Sequence, residues 1–253
     1  MIRFDKVIKR LGGRAVLDGV SFEVQKGETF VLVGPSGAGK SVTLKHMVRL
    51  LTPDNGDVSV GGASLNRANR PELEAIRDRF GYLFQGGALL AWMTVAENIA
   101  LPLIEKTKMT NDEISARVQE TLDMVEMEKD GEKYPDEISG GMRKRAGLAR
   151  AIVRKPEIIL YDEPTSGLDP VTSRTIDELI DRLRKTLGVT SVVVTHDLQS
   201  ALTIGSRIAM LHGGKIVELA TPDDFVKSQQ AEVRGFLEAQ YITKAGPWER
   251  KPS

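Results

Sequence analysis

Across residues 16–24 the apolar side chains Val20, Phe22 and Val24 alternate with Ser21, Glu23 and Gln25, and this period of two predicts a strand with one buried face. A turn at Lys26-Gly27 follows. Residues 29–33, Thr-Phe-Val-Leu-Val before Gly34, fit a strand buried on both faces of a parallel α/β sheet. Residues 40–51 read as a helix stopped by Pro53, Asn55-Gly56 as a turn before a strand at 57–60, and residues 80–84 as a strand ending at Gln85. Beyond Gln85 the pattern becomes helical. Thr94 with Glu97 and Thr110 with Glu113 have capping-box spacing, Ile114, Val118, Leu122 and Val125 share a helix face, and a third helix begins at Ser139.

Strand patterns return at 158–161 and 191–195, separated by a helix bearing Ile176, Leu179, Ile180, Leu183 and Leu187. A final strand at 215–220 precedes a short helix after Pro222. The order predicts an α/β core, residues 1–228, into which a helical subdomain of about residues 86–154 is inserted. Residues 229–253 form an extension in which Val233, Phe236 and Leu237, with Tyr241 a turn later, make an apolar stripe. Its last nine residues, 245–253, carry two prolines and Trp248 and read as a tail rather than core, with the stripe before it packing on its own domain or on another surface.

Charge narrows the partners. The 253 residues hold 35 Lys plus Arg against 35 Asp plus Glu, so the basic excess that neutralises nucleic-acid phosphates is missing and nucleic acid is not an expected partner. With no cysteine, a disulfide framework and a thiolate metal site are excluded. Residues 1–13 show no apolar signal core, and no apolar run approaches the roughly 20 residues of a membrane span, so a cytosolic chain with membrane partners is expected.

The chemistry concentrates in short strings. Gly34, Pro35, Ser36, Gly37, Ala38, Gly39, Lys40 and Ser41 satisfy G-x-x-x-x-G-K-[S/T] between a predicted strand and a predicted helix. Glycines there let backbone N–H groups turn around a β-phosphate, Lys40 supplies a charge for the β and γ oxygens, and Ser41 offers a hydroxyl to Mg²⁺. A glycine-rich turn is the bland alternative. The strand 158–161 delivers Asp162, a Mg²⁺ ligand through water, and Glu163, a candidate general base or water-orienting group. Those carboxylates would lie beside the phosphate loop if the two strands are neighbours. An acidic turn before Pro164 is the bland alternative. Ile138-Ser139-Gly140-Gly141-Met142 places a hydroxyl and two glycines at a helix N-terminus, a second anion site or a plain N-cap.

The succession of phosphate loop, Gln85, Ser139-Gly140-Gly141, Asp162-Glu163, Ser166-Gly167-Leu168-Asp169 and His196 resembles the ABC-transporter nucleotide-binding domain over nearly the whole chain. The resemblance implies a P-loop NTPase fold: a RecA-like core, an antiparallel β-subdomain and the inserted helical subdomain. It implies ATP and Mg²⁺ as cofactors, with two copies stacked head to tail so that one copy's phosphate loop and the other's Ser139, Gly140, Gly141 and Met142 enclose each nucleotide. Residues 34–41 and Val42 would bind ATP, with Leu11 at the position where the family usually stacks an aromatic ring on adenine. Gln85 would contact Mg²⁺ and the lytic water, His196 the γ-phosphate, and Asp169 would organise the dimer interface. Met142 stands where the family usually has Gln and lacks that side chain's hydrogen-bonding capacity.

Residues 138–152, 34–45 and 85–89, with 232–237 later on, are similar to one branch, the ATPases of Mla- and Mce-type systems that move phospholipids or other lipids between bacterial envelope membranes. That branch implies permease subunits and an MCE-type lipid-binding protein as partners, and a peripheral location on the cytoplasmic face of the inner membrane. An importer of a polar solute such as an amino acid is the alternative. A soluble ABC ATPase acting on ribosomes or DNA is disfavoured, because the chain has neither tandem ATPase domains nor a long coiled-coil insertion. The apolar residues after Gln85, Trp92 above all, are expected to dock the permease, with Val95 and Ile99 in the core.

Overall fold

The computed structural model describes residues 1–240, which form two compact units: residues 1–25, 30–67 and Val194 onward in the first, residues 26–29 and 68–193 in the second. Tyr241 and Trp248, and with them the tail, lie outside the described residues.

In the first unit β1 (Ile2–Leu11) and β2 (Arg14–Val24) make an antiparallel hairpin. Its two-residue turn is Gly12 (φ 56°) and Gly13 (φ 79°), the positive-φ pair that matches the twist of the flanking strands. Alternate side chains, Ile2, Phe4 and Val7 from β1 with Leu17, Val20, Phe22 and Val24 from β2, fill one core face. There Phe22 stacks between Phe4 and Phe30, with ring centroids 4.5 and 5.0 Å away. The other edge of β1 pairs with β4 (Asn55–Val60), and β5 (Ala63–Ser64) completes the four-stranded antiparallel sheet β2-β1-β4-β5.

Sequence reasoning missed β1 because its alternation breaks. The register slips between Phe4 and Val7 at left-handed Lys6 (φ 49°), so buried positions change parity along the strand. Asn55-Gly56 is correspondingly the start of β4 and no turn before it. A Cβ on Gly56 would stand 2.4 Å from the Lys6 carbonyl oxygen, so glycine is there to admit the bulge.

The same unit holds β3 (Thr29–Val33), parallel to β9 (Arg207–His212) with Phe30 opposite Arg207, and β10 (Lys215–Ala220) antiparallel to β9. All five residues of β3 are buried, as the unbroken run required. The helix after β3, α1, covers Lys40–Met47 and not residues 40–51. It ends because the chain turns left-handed at Arg49 (φ 50°), where the Leu50 N–H closes onto the Lys45 carbonyl at 2.8 Å.

The second unit carries β6 (Phe80–Leu83), parallel to β7 (Ile158–Asp162), with β8 (Thr190–Thr195) next in order. Five helices belong to it: α2 (Arg70–Arg77), α3 (Val95–Lys106), α4 (Asn111–Met124), α5 (Gly140–Ile152) and α6 (Pro170–Leu187). Both expected capping boxes form. Thr94 and Glu97 exchange bonds of 3.2 and 2.7 Å, and Thr110 and Glu113 bonds of 3.3 and 2.7 Å. A third box, Asn69 with Glu72, starts α2, which periodicity missed because Ile76 is its only buried side chain.

α3, α4 and α5 pack on one another through Val95, Ile99, Leu103, Val118, Leu122, Ala146 and Ala149. In the first unit α7 (Leu198–Ile204), α8 (Pro222–Phe225) and α9 (Ala231–Ala239) complete the fold, with Val233 and Leu237 of α9 buried.

Candidate functional site

The first unit's chemistry lies between β3 and α1. Gly34 (φ 153°), Gly37 (φ 78°) and Gly39 (φ 105°) turn the backbone through conformations that L side chains rarely adopt. At Gly34 a Cβ would stand 2.3 Å from the Leu211 carbonyl oxygen of β9, so a side chain has neither room nor φ. Gly39 is the N-cap of α1, and the first turn contains no acidic residue, so the helix begins without a side-chain cap on its amide groups. Lys40 is buried, its ammonium donating to the Gly34 and Pro35 carbonyls at 2.9 and 3.2 Å. Pro35, Ser36 and Gly37 are exposed at the mouth of the loop. Ser41 and Val42 follow in the first turn of α1. A positively charged concavity of backbone donors fits a polyphosphate.

Two other expected residues belong to this unit. Leu11 is 43% exposed at the tip of the β1–β2 hairpin. His196 is exposed at the end of β8, one residue before Asp197 caps α7 through the Gln199 and Ser200 amides at 2.9 and 3.2 Å. The Gln240 amide grips this corner. It donates to the His196 carbonyl at 2.6 Å and accepts from the Leu198 N–H at 2.8 Å.

In the second unit β7 ends on Asp162, 6% exposed, and Glu163, 9% exposed, follows it. Glu163 is left-handed (φ 52°), a strain costing on the order of 1–3 kcal/mol for a residue with a side chain. The Tyr82 hydroxyl of β6 points at Asp162 Oδ2 from 3.4 Å, and burial first and the Asp162 charge second hold the phenol well above its ordinary pKa. Asp162 and Gln85 of this unit carry oxygen donors, as the Ser41 hydroxyl does in the first unit, the hard ligand type that Mg²⁺ selects.

Ser139 caps α5, its hydroxyl accepting from the Met142 N–H at 3.2 Å. A Cβ on Gly141 would stand 2.6 Å from Thr172 Cγ2, which fixes glycine at the second position of the string. Asp169 caps α6 with Oδ1 at 3.0 Å from the Val171 and Thr172 amides, and the Thr172 hydroxyl is the main cause of its lowered pKa. Gln85 is exposed, and after it come three left-handed residues, Gly86 (φ 81°), Gly87 (φ 84°) and Ala88 (φ 49°). That run passes over α5 so closely that a Cβ on Gly87 would stand 2.7 Å from the Arg143 carbonyl.

Sequence reasoning overlooked Asn98 and Lys144. Fully buried Asn98 accepts from the Leu90 N–H at 2.7 Å and donates to the Leu90, Met93 and Thr94 carbonyls, shaping the loop that presents Trp92, 75% exposed. Lys144 is 4% exposed and donates to the Glu163 carbonyl at 2.8 Å. Neither lies in a motif, and both look like ordinary polar helix positions; only burial reveals them.

Residues 17–166 match the ABC transporter family model. A probable ribonucleotide transport ATP-binding protein, mkl, of Mycobacterium leprae is 41% identical over 96% of this chain and 70% of its own length. The methionine import ATP-binding protein MetN of Xylella fastidiosa is 38% identical over 96% of this chain and 74% of its own. Among solved structures, the dimeric post-hydrolysis state of the ATP-binding cassette MJ0796 bound to ADP and Pi superposes with a TM-score of 0.80 at 35% identity, covering 88% of this chain and 99% of that one. A phosphate-loop cassette fold, a family match over more than half the chain and relatives of this identity along nearly all of this chain agree. The chain belongs to the ABC transporter family, as an ATPase cassette that uses ATP with Mg²⁺.

Proposed function

We propose that this ATPase powers the movement of phospholipid or another lipid between envelope membranes. It would sit peripherally on the cytoplasmic face of a bacterial inner membrane, with integral permease subunits and an MCE-type lipid-binding protein as partners. The observation that carries the transport reading is the α1 cradle, glycine-lined with buried Lys40, within a cassette of the ABC family. The lipid assignment rests on the resemblance of residues 138–152, 34–45 and 85–89 to the Mla and Mce branch.

In this mechanism the backbone of residues 34–41 holds the β-phosphate, and Lys40 neutralises the β and γ oxygens as negative charge builds on them. Ser41, Gln85 and, through water, Asp162 would hold Mg²⁺, which would supply further positive charge against the phosphate oxygens. Glu163 orients the attacking water and takes its proton. His196 donates to the γ-phosphate. Leu11 packs against the adenine in place of a ring. Ser139, Gly140, Gly141 and Met142 of a second copy close the site, and Asp169 orders the interface between copies. Trp92, held out by the Asn98-bonded loop, docks the permease.

A second reading, an importer of a polar solute, is favoured by the 38% identity to the MetN relative. The two separate in one experiment. The chain is copurified with its membrane subunits, reconstituted in vesicles, and its ATPase rate measured with added phospholipid-loaded carrier or with added amino acids. A severalfold stimulation by the lipid carrier alone is expected; stimulation by an amino acid with its binding protein would replace the lipid reading.

A further inference from the structure

Glu163 is held in an unfavourable backbone conformation just after β7, and Lys144 of another element contacts its backbone carbonyl. Lys144 lies in the second turn of α5, five residues after the cap Ser139, with its side chain directed inward and 4% exposed. Its ammonium donates to the Glu163 carbonyl at 2.8 Å, the one hydrogen bond found for it among the described residues. The Ser166 N–H reaches the same carbonyl at 3.2 Å and tightens the turn that follows. Burial, the largest influence, lowers the Lys144 pKa, and the nearby Glu163 and Asp162 charges oppose it.

A buried ammonium is costly, and an aliphatic residue would pack at that helix position without the cost. Lysine there is explained if the bond has a task. A peptide unit in the left-handed region relaxes toward extended backbone unless neighbours over-determine it, and rotation about that unit swings the Glu163 carboxylate by ångströms. Near-attack geometry tolerates far less than that.

We propose that Lys144 is a positioning residue for ATP hydrolysis: its ammonium, clamped on the Glu163 carbonyl, locks the left-handed turn that aims the Glu163 carboxylate. The proposal rests on the reading of Glu163 as the group that activates water. Because the clamp touches neither nucleotide nor metal, it acts on turnover and leaves ATP affinity alone.

The test uses the full chain copurified with its membrane subunits and compares Lys144→Met, Lys144→Gln and Glu163→Gln for kcat, KM for ATP and thermal melting. Lys144→Met keeps length and packing but removes the donor. It should lower kcat at least 10-fold with KM within about twofold of the parent. Lys144→Gln, whose N–H donor falls about one bond short, should recover part of the loss and sit some threefold below the parent. A parental kcat in Lys144→Met, a rise in KM matching the fall in kcat, or equal damage from Met and Gln overturns the clamp. If Lys144→Met melts before assay, Lys144→Gln decides alone: a threefold deficit in kcat at unchanged KM supports the clamp, and a parental kcat or a raised KM ends it. Glu163→Gln separates the two levels. Should it turn over at the parental rate, the Glu163 reading falls and takes the clamp with it. With Glu163→Gln inactive and Lys144→Met unimpaired, only the clamp is lost.

Discussion

At the scale of single residues, the first unit's site is defined by what cannot be placed there. Gly34 has a φ of 153° and a carbonyl 2.3 Å from where its Cβ would be, so the β3–α1 corner admits no side chain at all. Gly34→Ala is expected to cost about 3 kcal/mol or more, since backbone oxygen on β9 cannot yield as a flexible side chain would. A melting curve should show a fall of roughly 6 °C or more for a chain of this size; an unshifted melt would mean the corner relaxes freely. The phosphate string was legible because its glycines and lysine have fixed spacing and flanking elements that hydrophobic pattern reveals. Lys144 and Asn98 were not, because a lysine or asparagine in a helix ordinarily faces water and no spacing rule marks the exception.

Elements were readable where periodicity and caps agreed. Thr94 with Glu97, Thr110 with Glu113 and Ser139 start their helices as their spacing implies, and Asp169 closes another N-terminus. They were unreadable where tertiary structure overrides period: β1 changes parity at its bulge, and α1 stops at a left-handed arginine that no breaker residue announces.

The end of α1 carries its own pH signature. His46 is buried, its Nδ1 lies 2.7 Å from the Val42 carbonyl, and Nε2 makes no hydrogen bond of normal geometry. The Val42 contact makes Nδ1 the protonated nitrogen, and a second proton would have to be buried on Nε2, with the Thr52 carbonyl as a weak further support for the cation. Burial, the largest influence, accordingly lowers its pKa despite a helix C-terminus that would favour the cation. Between the ordinary value near 6.5 and the lowered one, the unfolded chain binds the extra proton and the folded chain does not. Stability is therefore complete above about pH 6.5 and falls as pH drops below it, with a ceiling of about 1.4 kcal/mol per pH unit for one proton. Denaturant midpoints at pH 7.5 and 5.5 should differ in the parent and converge in His46→Met. An equal slope in both would assign the effect elsewhere. The carboxylates lowered by arginine and lysine partners, Glu126 and Asp181, lose their contribution only at more acidic pH, outside this window.

For the whole molecule, no helix among the described residues is long and apolar enough to cross a membrane, and the proposed transport role calls for contact with membrane subunits. The exposed apolar side chains Trp92, Phe84 and Ile104 of the second unit offer surface for that contact. The order of motifs along 253 residues makes the family legible. The substrate stayed out of reach because nothing in a nucleotide cradle records the cargo it serves.

The central claim, that Glu163 drives hydrolysis of an ATP held by the α1 cradle and completed by a second copy, is tested most directly by Glu163→Gln in the chain copurified with its membrane subunits. Replacing the carboxylate by an amide keeps shape and removes the proton acceptor. Turnover should fall at least 100-fold while ATP, measured as bound nucleotide after rapid desalting, stays associated with a two-copy assembly in the presence of Mg²⁺. Parental turnover, or an inactive variant that retains no ATP, would contradict the account.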